Sequence, residues 1–588
     1  MDPEEGRADM NTERRGFSEL FRSPRRRKII SAILTLLLYA LVWILQDRIT
    51  FFDVDDRNVA WALAGYRGGS PSFAHPFLNP VTAWAVSGLY LVFPKVPWWY
   101  TVQTACILLA AWTAGVSILD TAQRRRIPAV IPILLLTVMD AACFYYALTL
   151  VTFTLTSALL AAAACMRLLS ARSKGETLWS LILLAAAFLI RQSSGLVGLC
   201  YYFGCLAVCG VRERGRRGGG FGSWKRFLIR AVAAFLIAAV LTGANMLGRA
   251  FQHPQGFLEF EDARAAFMDY PHDSFAENPG LYESVGWDEN LYALTSAWFY
   301  MDARINAETL SAIHRGSSAE SQDVQEHVLN ALEVIRAFYG KYPIGEILTG
   351  ITVLLFLLIL IGYGGVFRKL GAVALLLGGT VLLGYLGLQG RVNLRALMSL
   401  VFPCLGCLLI LTEESFSGRR GHGFFSILAG MILGLALAGS YRIFRTVISY
   451  RAEEMLDRSN AVADYVLDHP DSLYIRDVYT GIDWNALRVY PDQKPVNLMD
   501  WGDCDTGTRA RLDQWKANGF DAPREADVFL EPGVYYLCTE GEPYLDRMNE
   551  YMIRTWNASG YRIEDRIRDD ILVVRFFNGD MLEDSETP

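Results

Sequence analysis

A chain of 588 residues with 52% apolar and 12% aromatic content and a mean hydropathy of +0.23 is too apolar for an ordinary set of soluble domains, and reads as a polytopic membrane protein. The net charge of −6 hides a segregation: basic residues gather at the N-terminus and in short connections, acidic residues in two long polar regions. That asymmetry is a topology signal and excludes a nucleic-acid footprint.

Residues 1–27 are polar, and Arg22, Arg25, Arg26, Arg27 and Lys28 abut the apolar run 29–45. No small-residue cleavage site follows, so the run is expected as a retained first span with its N-terminus in the cytoplasm. Phe51-Phe52-Asp53-Val54-Asp55-Asp56-Arg57 then places three carboxylates at a membrane surface. The motif opens an amphipathic helix over 57–66, which Gly68-Gly69-Ser70-Pro71 ends. The apolar segment 80–93 falls short of the roughly 20 residues a perpendicular span requires, and is expected to lie along the interface.

Spans are expected at 98–119, 127–142, 146–168, 178–190, 196–209 and 227–247. Their cytoplasmic turns carry Arg124-Arg125-Arg126, Arg172 with Lys174, and Arg212, Arg214, Arg216, Arg217 and Lys225. The polar region 248–342 follows outside, with helical periodicity at 260–268, 289–300 and 324–339, the helices lying over the membrane domain. Runs at 344–362, 370–388, 394–411 and 424–438 bring the total to about 11 spans and leave the C-terminus outside.

From 444 the composition is that of a small α/β domain. Helices are expected at 452–467, 506–518 and 543–556, and strands at 472–478, 527–530, 534–538 and 571–577. No glycine-rich phosphate loop follows any strand, and Asn557-Ala558-Ser559 is a sequon only in a eukaryotic secretory pathway. The division is thus a cytoplasmic tail (1–27), a membrane domain (28–443) with outer loops 47–97 and 248–342, and an extracytoplasmic α/β domain (444–588). Eight of the ten cysteines lie in apolar runs, where a thiol packs as a small hydrophobe. Cys404-x-x-Cys407 lacks a second ligand pair, and Cys504 and Cys538 could bridge only in an oxidising compartment. The seven histidines show no metal-ligand spacing.

Asp53-x-Asp55 has the spacing with which soluble nucleotide-sugar transferases hold a divalent metal. Topology turns the reading, because the motif faces away from the cytoplasm, where nucleotide sugars are made. An extracytoplasmic transferase needs a donor that crosses as a lipid, a polyprenyl-phosphate sugar. Its phosphate departs unprotonated, so one carboxylate acting as base on the acceptor hydroxyl suffices, without the opposed pair of a glycosidase. Cations must stabilise the departing phosphate, and Arg191, Arg391 and Arg395 stand at outer turns; the alternative is an interfacial arginine that caps a helix or pairs with an acid of the large loop. For the aspartates the alternative is an N-cap, which accounts for one of three. His75 and Asn79 line a sugar pocket or belong to an interfacial loop. The hydroxyls of Thr152-Phe153-Thr154-Leu155-Thr156-Ser157 are expected in helix–helix bonds inside a span, and Trp98-Trp99-Tyr100 in an aromatic belt.

Asp55-Asp56, the helix at 57–66 and the second amphipathic segment at 77–93 occur in an order that resembles the GT-C superfamily of polytopic glycosyltransferases. These include the protein O-mannosyltransferases and the lipid A aminoarabinose transferases, and the chain is similar to an uncharacterised bacterial branch. The resemblance covers about 28–438 as architecture. It implies a GT-C-like α-helical membrane fold and inverting hexosyl or pentosyl transfer to an envelope glycan, lipid or protein, with Asp55 as base and Asp56 orienting base or acceptor. The family often has Glu at the position of Asp56, and the nearest candidate for a second acidic motif is Asp140. No cofactor is expected, a divalent metal stays open, and the location implied is the plasma membrane. The competing classes are a lipid-linked sugar flippase, which would place ionisable groups near the bilayer midplane, and a noncatalytic envelope scaffold.

Overall fold

The computed structural model describes residues 23–46, 49–52, 54–128, 130–216, 221–317, 324–362, 365–416, 423–449 and 453–579. Asp53, first of the three carboxylates, lies outside these residues, as does most of the N-terminal tail. The elements run α1 (Pro24–Leu45), β1 (Thr50–Phe51), α2 (Val54–Ala64), α3 (Pro80–Val92), α4 (Trp98–Arg125), α5 (Val130–Thr149), β2 (Leu150–Val151), α6 (Phe153–Ser170), α7 (Lys174–Ile190), α8 (Gln192–Arg216) and α9 (Phe221–Gln252). A polar stretch carries α10 (Phe257–Asp269), α11 (Pro279–Glu283), α12 (Glu289–Ser296), α13 (Ala307–Gly316) and α14 (Val324–Lys341). Then come α15 (Pro343–Ile361), α16 (Val366–Leu388), α17 (Leu394–Ser415) and α18 (Gly423–Ser449). The C-terminal unit holds α19 (Glu453–Asp468), β3 (Leu473–Arg476), β4 (Leu498–Asp500), α20 (Arg509–Ala517), β5 (Val534–Thr539), α21 (Tyr544–Trp556), β6 (Gly560–Arg568) and β7 (Ile571–Phe577).

Ten of the described helices are long and apolar enough to cross a membrane, and the chain is a multi-pass membrane protein. The eleventh expected span, α7, has 17 residues, about 25 Å and the lower limit for crossing. α3, with 13 residues, is too short, as its sequence implies. The bundle is centred on α6, all 18 residues of which are buried and which packs against α4, α7, α8 and α17. Small side chains allow this: a Cβ on Gly198 would lie 2.4 Å from the Ala161 methyl group. At one end of the bundle Asp120 ties three helices, taking Arg27 at 2.7 Å and Arg167 at 2.8 Å.

Three expectations change. The turn expected near 143–145 lies at 150–152, because nothing in Tyr145-Tyr146 breaks a helix. α5 runs through a π-turn at Asp140–Phe144, and the chain reverses where the Thr152 side chain caps α6. The stretch 527–530 is a turn of 3₁₀ helix, not a strand, while β6 escaped notice because its exposed, charged face breaks the apolar alternation. Finally, the helices of the polar stretch do not simply lie over the membrane part. Phe267, Trp287 and Phe299 share one core with Ile475, Trp501 and Tyr536 of the C-terminal unit, and the Tyr551 hydroxyl donates to Asp302 at 2.7 Å.

The C-terminal sheet has the order β4-β3-β5-β7-β6. β4, β3 and β5 are parallel, and β7 runs antiparallel to β5 and β6. The loops leaving the C-terminal ends of β3 and β4 therefore emerge on the same edge.

Candidate active site

Two short strands set the site. β1 and β2 pair in parallel, Thr50 with Leu150 and Phe51 with Val151. The amide of Phe51 also donates to the Trp484 carbonyl at 2.9 Å. The start of α2 is thereby held against the start of α6 and against the C-terminal unit. Asp55 and Asp56 fall in the first turn of α2, where carboxylates complement the helix dipole.

Neighbours on a helix point about 100° apart, and the two acids part company. Asp56 is wholly buried. Its Oδ1 accepts from the Trp99 indole (3.2 Å), the Gln103 amide (3.0 Å) and the backbone N–H of Phe153 (3.0 Å). It clamps α2 to α4 and α6, and it removes Trp99 from the expected aromatic belt, since that indole is buried. Asp55 lines a cavity of about 790 Å³, where its Oδ2 lies 2.8 Å from Nη1 of Arg395.

The cavity collects charge from distant segments. Arg57, Arg191, Arg249, Arg264, Arg391 and Arg395 line it, against the acids Asp55, Glu261, Asp262, Asp269 and Asp503, so cations exceed acids by six to five. Arg391 reaches Asp269 at 2.5 Å and stands over the Tyr270 ring. Arg191 lies 4.4 Å over the Phe153 ring and donates to the Ser193 hydroxyl at 3.1 Å. Arg264 is bidentate to Glu261 and stacks 5.0 Å over Trp298, a cavity-lining residue whose φ is +69°. That left-handed backbone brings the Trp298 carbonyl to 1.9 Å from where a Cβ on Gly502 would stand, so position 502 requires glycine. Arg249 makes no ion pair within the described residues.

His75 and Asn79 do not line the cavity. His75 is buried with Nε2 3.2 Å from Asp505, and its Nδ1 accepts from the Phe77 amide; it braces Pro76-Phe77, which do line the wall. Asn79 caps α3, its Oδ1 accepting from the Val81 amide at 3.1 Å, and its amide donates to the Leu241 carbonyl. Of the hydroxyl run, Thr154 faces the cavity, whereas Thr156 and Ser157 make the expected interhelical bonds to Gln103 and the Ala187 carbonyl. Asp140 is remote from the site and lines a separate groove between α1, α5 and α18. Cys504 and Cys538 are free thiols. Cys407 meets Cys165 and Cys205 inside the helix bundle, with their sulfurs within 4.8 Å of one another.

A buried ion network joins α2 and the segment after it to the C-terminal unit. Asp500 takes Arg57 at 3.1 Å and Arg476 at 2.8 Å; Asp503 takes Arg67 and Arg511, each at 2.8 Å; Arg67 also reaches Asp505 at 2.9 Å. Burial by itself would raise the carboxyls of Asp500 and Asp505. The surrounding arginines win, Arg57, Arg476 and Arg67 holding Asp500 well below the carboxylate range, and Arg67 with His75 doing the same for Asp505.

Sequence reasoning found Asp55, Arg191, Arg391 and Arg395 on this cavity but missed Arg57, Arg249, Arg264 and the C-terminal residues. Arg249 carries a signal it shares with Arg191: both stand at the end of an apolar run, on the side opposite the basic connections.

No family model and no curated protein matches the chain. Among solved structures it is similar to the crystal structures of ArnT from Cupriavidus metallidurans, one bound to undecaprenyl phosphate and one in the apo state. Each has 14% identity and a TM-score of 0.37, over 93% of this chain and 97% of that one.

Proposed function

We propose that the chain is a GT-C-type membrane glycosyltransferase. It moves a hexosyl or pentosyl unit from a polyprenyl-phosphate donor to a cell-envelope acceptor on the extracytoplasmic face of the plasma membrane. The observation that carries the reading is the meeting of Asp55 with Arg395, 340 positions later, on an arginine-rich cavity at the ends of apolar helices. The basic connections at the opposite end, around Arg27, Arg124 and Arg167, favour that end as cytoplasmic.

In this mechanism the acceptor hydroxyl oxygen attacks the anomeric carbon as its proton passes to the Asp55 carboxylate. The bond from that carbon to the phosphate oxygen breaks, and the polyprenyl phosphate leaves with the electron pair. Attack opposite the leaving group inverts the centre. Arg395 and Arg391 receive the departing charge, bidentate guanidinium–phosphate contact being the geometry arginine favours. The donor phosphate competes with Asp55 for the Arg395 guanidinium, and drawing that guanidinium onto the phosphate frees the carboxylate to act as base. Asp56 keeps the helix turn that carries Asp55 in place.

Asp55→Asn is expected to lower transfer by about 10²–10⁴-fold, the usual worth of a positioned general base, with membrane insertion unchanged. The assay uses purified protein in nanodiscs with defined polyprenyl-phosphate sugars; product at a near wild-type rate would remove Asp55 from the mechanism.

A further inference from the structure

We infer that the loop 477–484 of the C-terminal unit is the acceptor subsite of the cavity, and that it takes the ring of a carbohydrate on the face of Tyr479. The inference deepens the transferase reading and rests on it for the word acceptor. The carbohydrate site itself stands on the geometry.

The loop leaves the C-terminal end of β3, the edge at which open parallel sheets bind ligands. Val478, Tyr479, Ile482 and Trp484 all line the cavity that holds Asp55. Tyr479 is 51% exposed between buried Asp477 and Thr480, and it is the one exposed aromatic among the described residues of the C-terminal unit. Its backbone is fixed from beneath. Asp477 Oδ1 accepts from the amides of Tyr479 and Thr480, each at 2.8 Å, and its Oδ2 accepts from the Thr480 hydroxyl. Buried Arg476 donates to the carbonyls of Thr480 (3.2 Å) and Gly481 (2.5 Å) while also holding Asp500. Gly481, at φ +58°, fits against Val462 with no room for a Cβ. The Tyr479 ring rests on Tyr544, 5.5 Å between centroids and 18° between planes.

An aromatic ring presented to solvent on so rigid a loop loses little conformational entropy when a ligand covers it. The ligand it suits has a flat apolar face and a polar rim. The aromatic wall supplies the face, and the two carboxylate oxygens of Asp262, exposed on the same cavity, supply acceptors for hydroxyls. A purely apolar lipid chain would bury these polar groups without partners. A pyranose or furanose ring matches both halves.

The test measures binding of methyl glycosides (glucoside, galactoside, mannoside, arabinoside and N-acetylglucosaminide) to the full chain in nanodiscs by saturation-transfer NMR. At least one glycoside is expected to bind wild type. Tyr479→Ala should weaken it about ten-fold, the scale of one aromatic contact, while Tyr479→Phe stays within about two-fold. Because Tyr479 is exposed, the substitutions leave the core intact, and thermal unfolding of each variant checks this. Equal binding by wild type and Tyr479→Ala, no binding of any glycoside, or a Tyr479-dependent signal from hexanol in place of the sugars overturns the inference. If wild type proves inactive in transfer yet shows Tyr479-dependent glycoside binding, the transferase reading falls and the carbohydrate site remains.

Discussion

Asp55 and Asp56 are adjacent in the chain and of one residue type, yet the helix sends one to the cavity and the other into the core. Their surroundings differ: Asp55 meets Arg395 on the cavity wall, whereas Asp56 accepts from Trp99, Gln103 and the Phe153 amide in the core. The same reasoning ranks the arginines. Arg395 pairs with Asp55, the proposed base, at a part-buried position, and Arg391 pairs with Asp269 with 44% of its side chain exposed, where screening weakens charge contacts. Arg395→Ala is therefore expected to raise the KM for the donor about ten-fold or more, and Arg391→Ala less. Donor-concentration series on the two variants check the order, and an unchanged KM for Arg395→Ala would assign the phosphate elsewhere. Asp55, Arg391 and Arg395 were legible as charges costly at a membrane surface. Arg249 bears the same mark, and Tyr479 bears none, since an exposed tyrosine in a polar segment has no distinguishing pattern.

At the scale of elements, α2 shows where periodicity misleads. Its residues were expected to present one apolar and one wet face, but every residue from Asp56 to Ala64 is buried. The membrane helices cover one side and the C-terminal unit covers the other, with Arg57 and Arg67 inserted into the Asp500–Asp505 loop. A buried ion pair is weak evidence for net stability, yet removing one partner strands the other. Asp500→Asn leaves Arg57 and Arg476 facing each other without their carboxylate. The expected loss is about 3–5 kcal/mol, read as a lowered thermal midpoint of the purified protein. A midpoint within error of wild type would show that water or a neighbouring acid replaces the contact.

Across the whole molecule, that network is the joint between the C-terminal unit and the segment carrying Asp55. Its pH response follows from the depressed carboxyls. Asp500 and Asp505 hold protons less readily folded than unfolded, so their contribution is complete above about pH 4, the ordinary aspartate value. It is lost as pH falls below that value toward the folded ones. Hydrogen exchange of 498–511 is expected to stay slow from pH 7 to about pH 4 and to quicken in stronger acid, after correction for intrinsic rates. Loosening that sets in near pH 6 would show that Asp500 and Asp505 are not the controlling groups.

The sequence by itself determined how many apolar helices there are, their order, and which ends carry the basic connections and which the acids and arginines. Those properties depend on the length and composition of single segments. Only the tertiary structure decided which aspartate reaches the cavity, that arginines from Arg57 to Arg395 gather there, and that the polar stretch and the C-terminal sheet share a core and wall the site. Each depends on contacts between residues hundreds of positions apart, such as Asp55 with Arg395 and Arg57 with Asp500, which no local pattern encodes.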